Sequence, residues 1–144
     1  EIGYNYRMSN VLAAIGIAQM EVIEKRIRRT REVNQIYQKE VGHLFYSFQE
    51  ERKIDRSNMW LTCALMKGED KPEDLIAYLE KDNIEARRIW KPMHEQPVMK
   101  GYRKYINGNS SLLFLQGICL PSGSDLTKAD IKRIIKSIKT FFKK

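Results

Sequence analysis

The sequence predicts an α+β domain, a small and mainly antiparallel sheet with helices on one face, preceded by one long helix. Three observations carry this expectation. Apolar residues recur at three- and four-residue spacings across residues 9–41; two β-rich segments then follow as a candidate hairpin; and short strands alternate with helices to the C-terminus. A chain of 144 residues, 42% hydrophobic and 31% charged, can bury a core and is not a disordered segment.

Residues 9–41 read as a helix capped by Ser9 or Asn10, with Val11, Leu12, Ile15, Ala18, Val22 and Ile23 in a stripe that Ile27, Val33, Ile36 and Tyr37 extend. Its length suits a strut between two domains. Arg26, Arg28, Arg29 and Arg31, interleaved with Glu21, Glu24 and Glu32, are expected on a solvated face. Leu44, Tyr46 and Phe48 alternate as a first strand, and residues 59–66 form a stronger second one. Pro72, followed by Glu73 and Asp74, opens a helix to about residue 81, with Leu75, Ile76 and Leu79 inward. Residues 84–90 make a third strand, with Ile84, Ala86 and Arg88 on one face and Glu85, Arg87 and Ile89 on the other. An irregular stretch over 91–109 leads to a short helix at 112–116, ended by Gly117, and a fourth strand at 118–120. Thr127 and Asp130 form a capping box for a final helix over 128–142, whose inward stripe is Ile131, Ile134, Ile135, Ile138 and Phe142.

The formal net charge is +8, which raises a non-catalytic basic module for nucleic acid or an acidic partner as one reading. Residues 128–144 alone hold seven cations against one acid, on the side of the helix away from its apolar stripe, so most of the excess is a solvated helix face. The longest uncharged run, 105–124, has only a short apolar centre, too short for a hydrocarbon layer of ~30 Å. No secretory leader opens the sequence, and the start at Glu1 fits a piece of a longer protein. Cys63 and Cys119 lie in hydrophobic stretches and are expected as free buried thiols of a cytoplasmic protein, with a disulfide as the less favoured alternative. Nucleotide-binding glycine loops, serine-hydrolase elbows and Cys/His metal spacings are absent, and no metal is expected.

Two segments are rich in groups that bind anions and rings. In residues 3–7 (Gly-Tyr-Asn-Tyr-Arg), Asn5 can donate to an anion and Arg7 can pair with phosphate or carboxylate, just ahead of a helix N-terminus. The plainer alternative is an N-terminal tail with a capping Asn. In residues 87–94, Arg87, Arg88 and Lys91 can hold a diphosphate, Trp90 can stack on a base or sugar, and His94 can bond a hydroxyl or phosphate oxygen. The alternative here is Trp90 as core filler and His94 as a satisfied loop residue. Lys91, beside two arginines and Pro92, suits a phosphate partner better than a desolvated nucleophile.

These segments, in this order, resemble the C-terminal part of the DegT/DnrJ/EryC1/StrS family of pyridoxal-phosphate-dependent sugar aminotransferases. The resemblance rests on residues 3–10 (GYNYRMSN), 13–21 (AAIGIAQME), 87–97 (RRIWKPMHEQP) and 119–131 (CLPSGSDLTKADI), in register over almost the whole chain. It implies the small C-terminal domain of an aspartate-aminotransferase-like, fold type I enzyme. Residues 1–41 would then be an active-site segment with the interdomain helix, and residues 42–144 the small α+β domain. The implied protein is a cytoplasmic homodimer, without nucleic-acid or membrane partners. It moves an amino group from glutamate through pyridoxal phosphate to a nucleotide-linked keto sugar, most like a 4-keto-6-deoxy sugar, in surface polysaccharide or glycan biosynthesis. The resemblance also implies roles: Asn5 on the phosphate of the neighbouring subunit's cofactor, Arg7 in the active site or interface, and His94, Lys91 and Trp90 on the substrate side. Arg87 and Arg88 compete for one nucleotide-side role. The lysine that carries the cofactor belongs to the large domain, so this chain holds no catalytic residue and is expected to be inactive by itself.

Overall fold

In the computed structural model, the described residues are 3, 4 and 6–143. Helix α1 (Asn10–Val41) begins where the Ser9 side chain accepts the Leu12 N–H at 3.3 Å. It continues through a 3₁₀ turn, Gly42–Leu44, into strand β1 (Ser47–Phe48). Strand β2 (Thr62–Leu65), helix α2 (Pro72–Glu80) and strand β3 (Arg87–Arg88) follow. Two 3₁₀ turns, Met93–Glu95 and Pro97–Met99, then precede helix α3 (Asn109–Gln116), strand β4 (Gly117–Leu120) and helix α4 (Lys128–Phe141). The four strands form one antiparallel sheet in the order β1-β2-β4-β3.

Alternation along the strands decides where the core lies. Thr62, Ala64, Ile118 and Leu120 face inward and are buried. Against them pack Val33, Tyr37 and Val41 from α1, Leu75 and Leu79 from α2, and Ile131, Ile134, Ile135 and Ile138 from α4. All three helices therefore cover one face of the sheet. The capping box holds as expected: Asp130 N–H donates to Thr127 Oγ1 at 3.1 Å, and Thr127 N–H donates back to Asp130 at 3.0 Å. Buried polar groups at the α1–sheet junction are satisfied: Tyr37 donates to the Pro121 carbonyl at 2.9 Å, and Thr62 N–H donates to Ser122 Oγ at 2.7 Å. Burial without an ionic partner pushes the Tyr37 hydroxyl pKa upward.

Three elements differ from the sequence expectation. The strands are shorter than the apolar runs that announce them: Tyr46 and Trp60 are exposed, and Ile84 and Ala86 enter the core ahead of β3 without strand pairing. Gly117 does not end α3 in a left-handed cap: its φ is −91°, extended. It is glycine because a Cβ there would collide with the Ile89 side chain and the Leu113 carbonyl. Finally, the apolar stripe of α1 is buried only in its second half, whereas Val11, Leu12, Ile15 and Met20 are exposed. Arg29 and Arg31 are also not merely solvated: Arg29 donates to the Leu126 carbonyl at 2.6 Å, and Arg31 holds Glu51 bidentately at 2.8 and 2.9 Å.

Candidate substrate-binding site

The sheet face opposite the helices carries Cys63, Leu65, Arg87 and Cys119. At its edge a cavity of about 370 Å³ is lined by Trp60, Leu61, Glu85, Arg87, Trp90 and Cys119, among others. Two turns aim Trp60 into it. Met59 N–H donates to Ser57 Oγ at 3.1 Å, and Trp60 N–H donates to Asn58 Oδ1 at 3.2 Å. Met59 takes a left-handed conformation (φ 47°) and buries its side chain, which leaves Trp60 outside. Trp60 and Trp90 stack with ring centroids 5.9 Å apart and planes 27° from parallel, although each is 63% exposed. Two large rings held together at the surface offer a flat apolar face of the kind that stacks on planar groups.

The two arginines of β3 have separate surroundings. Arg87 points to the open face and pairs with Glu85, 2.7 Å from its Nε, with its side chain 78% exposed. Such a pair is weak and exchangeable. Arg88 turns toward the helices, pairs with Glu73, donates to the Phe114 carbonyl and lies 4.1 Å over the Phe114 ring. Its Nε is the buried side-chain donor without a partner among the described residues. Although Arg88 reaches the cavity wall, its guanidinium is engaged in tying β3 to α2 and α3.

Beyond the cavity, Lys91 is exposed and its carbonyl accepts from Gln96 Nε2 at 3.3 Å. His94 is half-buried, with Nε2 3.2 Å from Ser111 Oγ. The Ser111 hydroxyl donates to Glu95 Oε1 at 2.5 Å, so the His94 Nε2–H donates to Ser111. This relay fixes the imidazole plane and anchors the 93–99 turns to α3. Arg7 is exposed on the segment before α1 and does not line the cavity. Asn5 lies outside the described residues.

For a pyridoxal phosphate group, the donor chemistry of Arg7 beside the N-terminus of α1, whose first turn holds no acid, fits the phosphate. Among the described residues, the five main cavities are lined by other side chains than Arg7. Among the described residues there is no metal-binding cluster, and no helix is long and apolar enough to cross a membrane. The sequence pointed to Trp90, Arg87, Lys91 and His94 but not to Trp60, which reads as one more apolar residue of a strand.

This arrangement is that of a small α+β domain with an aromatic and cationic loop at the edge of its open sheet face. The crystal structure of a DegT DnrJ EryC1 StrS aminotransferase from Brucella abortus superposes with a TM-score of 0.86 over 99% of this chain and 38% of that one, at 23% identity, which shows the fold. The chain matches the DegT/DnrJ/EryC1/StrS aminotransferase family over residues 1–139, and it belongs to that family. EpsN of Bacillus subtilis (strain 168), provisionally named a pyridoxal phosphate-dependent aminotransferase, is 40% identical over 99% of this chain and 38% of its own length. GDP-perosamine synthase of Escherichia coli O157:H7 is 34% identical over 98% of this chain and 38% of its own length. The chain thus spans about 38% of the curated relatives it matches. Pyridoxal phosphate is the cofactor of this family.

Proposed function

We propose that this chain is the C-terminal domain of a cytoplasmic, homodimeric aminotransferase that transfers an amino group from glutamate to a nucleotide-linked keto sugar, of the 4-keto-6-deoxy class. The reaction would serve surface polysaccharide or glycan synthesis. Residues 1–41 supply the segment at the cofactor and the helix between domains, and residues 42–144 supply the substrate-side surface. The observation that carries the reading is the exposed Trp60–Trp90 pair with Arg87 beside it, at the start of the loop that holds Lys91 and His94.

Each group has a part that its surroundings suit. The indole pair offers a flat apolar face to a nucleobase or sugar ring. Arg87 exchanges its solvent-exposed contact with Glu85 for a diphosphate oxygen, a stronger charge-assisted pair. Lys91 adds a second cation, and His94, held by Ser111, presents Nδ1 to a sugar hydroxyl. Arg7, together with Asn5, meets the cofactor phosphate of the neighbouring subunit. Pyridoxal phosphate, when bound, supplies the aldehyde that carries the amino group between donor and acceptor. The exposed apolar residues of α1 (Val11, Leu12, Ile15, Met20) and of α3 (Leu112, Leu115) support a remainder of the protein, or its second subunit, covering them. The chain by itself is expected to be inactive.

Against the reading as a basic module for nucleic acid, Arg29, Arg31, Arg56 and Arg88 are engaged by internal or acidic partners. The test is product formation. The full-length protein is incubated with glutamate and a panel of UDP-, GDP- and dTDP-linked keto sugars, and the amino sugar is read by mass. Glutamate-dependent amination of one panel member is expected; none across the panel, with cofactor bound, overturns the reading.

A further inference from the structure

Cys63 and Cys119 are the two cysteines of the chain. They sit directly opposite each other on β2 and β4. On the same ladder Met66 N–H donates to the Gln116 carbonyl at 2.8 Å, which sets the alternation of the register. The 63/119 position, three steps along, is then a non-hydrogen-bonded pair. The Gln49 N–H bond to the Cys63 carbonyl, on the β1 side, agrees. Non-hydrogen-bonded pairs bring facing side chains closest, with Cβ atoms ~4.5–5.5 Å apart. A disulfide needs ~3.5–4.5 Å, so a small approach of two strands closes the gap.

The sulfurs already touch, with Sγ 3.6 Å from Sγ, and either can donate to the other. That contact pulls the Cys119 thiol pKa down and, with burial, pushes the Cys63 thiol up, so Cys119 is the more readily ionised of the two. Access exists from both sides: Cys119 forms part of the wall of the Trp60–Trp90 cavity, and Cys63 is half-buried on the open sheet face. Proximity, register and a path for a small reagent coincide at one place.

We propose that Cys63 and Cys119 form an oxidation site, at which a hydroperoxide converts the two thiols into a cross-strand disulfide. The Cys119 thiol gives up its proton and its sulfur attacks one oxygen of hydrogen peroxide; the O–O bond breaks, the leaving hydroxide takes up that proton as water, and Cys119 is oxidised to a sulfenic acid. The Cys63 sulfur then attacks the Cys119 sulfur, the S–O bond breaks, and the Cys63 proton leaves with the hydroxide as a second water. Two thiols are oxidised and one peroxide is reduced. The new ring, 63–119, encloses α2, β3 and the loop with Lys91 and His94, so it fastens both ends of the candidate substrate segment. The site stands on the sheet geometry and is independent of the aminotransferase reading.

The test uses the full-length protein, fully reduced and then exposed to hydrogen peroxide with dimedone present. A non-reducing digest is mapped by mass. Expected is one peptide pair joining Cys63 to Cys119 within a single molecule, two hydrogen masses lighter than the free thiols, reversed by dithiothreitol. In Cys63→Ser the second step is lost, and dimedone labelling of Cys119 should rise at least ten-fold over the unsubstituted protein. Separate sulfenic or sulfinic products at the two cysteines without the linked pair, or linkage only between molecules, overturns the proposal. The unsubstituted protein decides this even if the variant does not fold.

Discussion

Truncating Trp60 separates a binding platform from a piece of core. Its ring stacks on Trp90 at 5.9 Å, yet each residue is 63% exposed, so folding gains little from either. An aromatic pair is worth about 0.5–1.5 kcal/mol beyond burial, and that bounds the stability lost in Trp60→Ala. Stacking a base or ring on such a surface is worth about 1–3 kcal/mol, which corresponds to a roughly 5- to 150-fold loss of affinity. The assay is steady-state kinetics of the full-length protein with varied nucleotide-sugar, beside a urea unfolding curve. Trp60→Ala and Trp90→Ala are each expected to raise KM within that range while leaving the KM for glutamate unchanged, and Trp60→Phe should recover most of the loss. The double variant should cost less than the sum of the singles, because each ring holds the other in place. An unchanged nucleotide-sugar KM in both single variants refutes the reasoning. So does a stability loss above about 3 kcal/mol, which would mark the rings as core.

Three further outcomes follow from the geometry. Arg88→Ala should destabilise by about 1–3 kcal/mol in urea unfolding, because it strands the Phe114 carbonyl and Glu73, whereas Arg87→Ala should cost under about 0.5 kcal/mol and act on substrate binding instead. Gly117→Ala should cost about 1–3 kcal/mol by the same measurement, since the Leu113 carbonyl is backbone and cannot step aside. Glu51 is held at a pKa of about 2 by the bidentate Arg31 guanidinium and the Ser57 N–H. A depressed carboxylate contributes stability above its unfolded pKa, near 4.5, and loses it as pH falls toward 2. Urea midpoints of Glu51→Gln should therefore lose part of the decline that the unsubstituted protein shows between those pH values.

The sequence made some of this legible and hid the rest for identifiable reasons. Helix α4 was fully announced: the Thr127–Asp130 box and a four-isoleucine stripe are local signals, and both appear as read. The alternation of Ile84 and Ala86 against Glu85 and Arg87 placed Arg87 outside, but it could not show that Arg88 spends its guanidinium on Glu73 and Phe114, which are distant in sequence. The stacked Trp60–Trp90 pair and the facing Cys63–Cys119 pair depend on a register between strands dozens of residues apart, and no local period encodes register. In α1 the periodicity reported an apolar stripe correctly but not which turns the described chain covers: Val33 is buried and Val11 is not. Gly117 does end α3, as its local sequence indicates, but the close approach of Ile89 that also demands a glycine there comes from a distant segment.

The central claim, that this chain provides the substrate side of a pyridoxal-phosphate sugar aminotransferase, is tested most directly by a single-turnover half-reaction. The full-length protein, loaded with the pyridoxamine form of the cofactor, is mixed with nucleotide-linked 4-keto-6-deoxy sugars in the absence of glutamate, and absorbance is followed. One of these sugars should convert the cofactor to its aldehyde form, with one amino sugar made per active site, and Trp60→Ala should require more sugar for the same amplitude. A pyridoxamine spectrum that stays unchanged with every sugar, at concentrations where binding is saturated, would contradict the account.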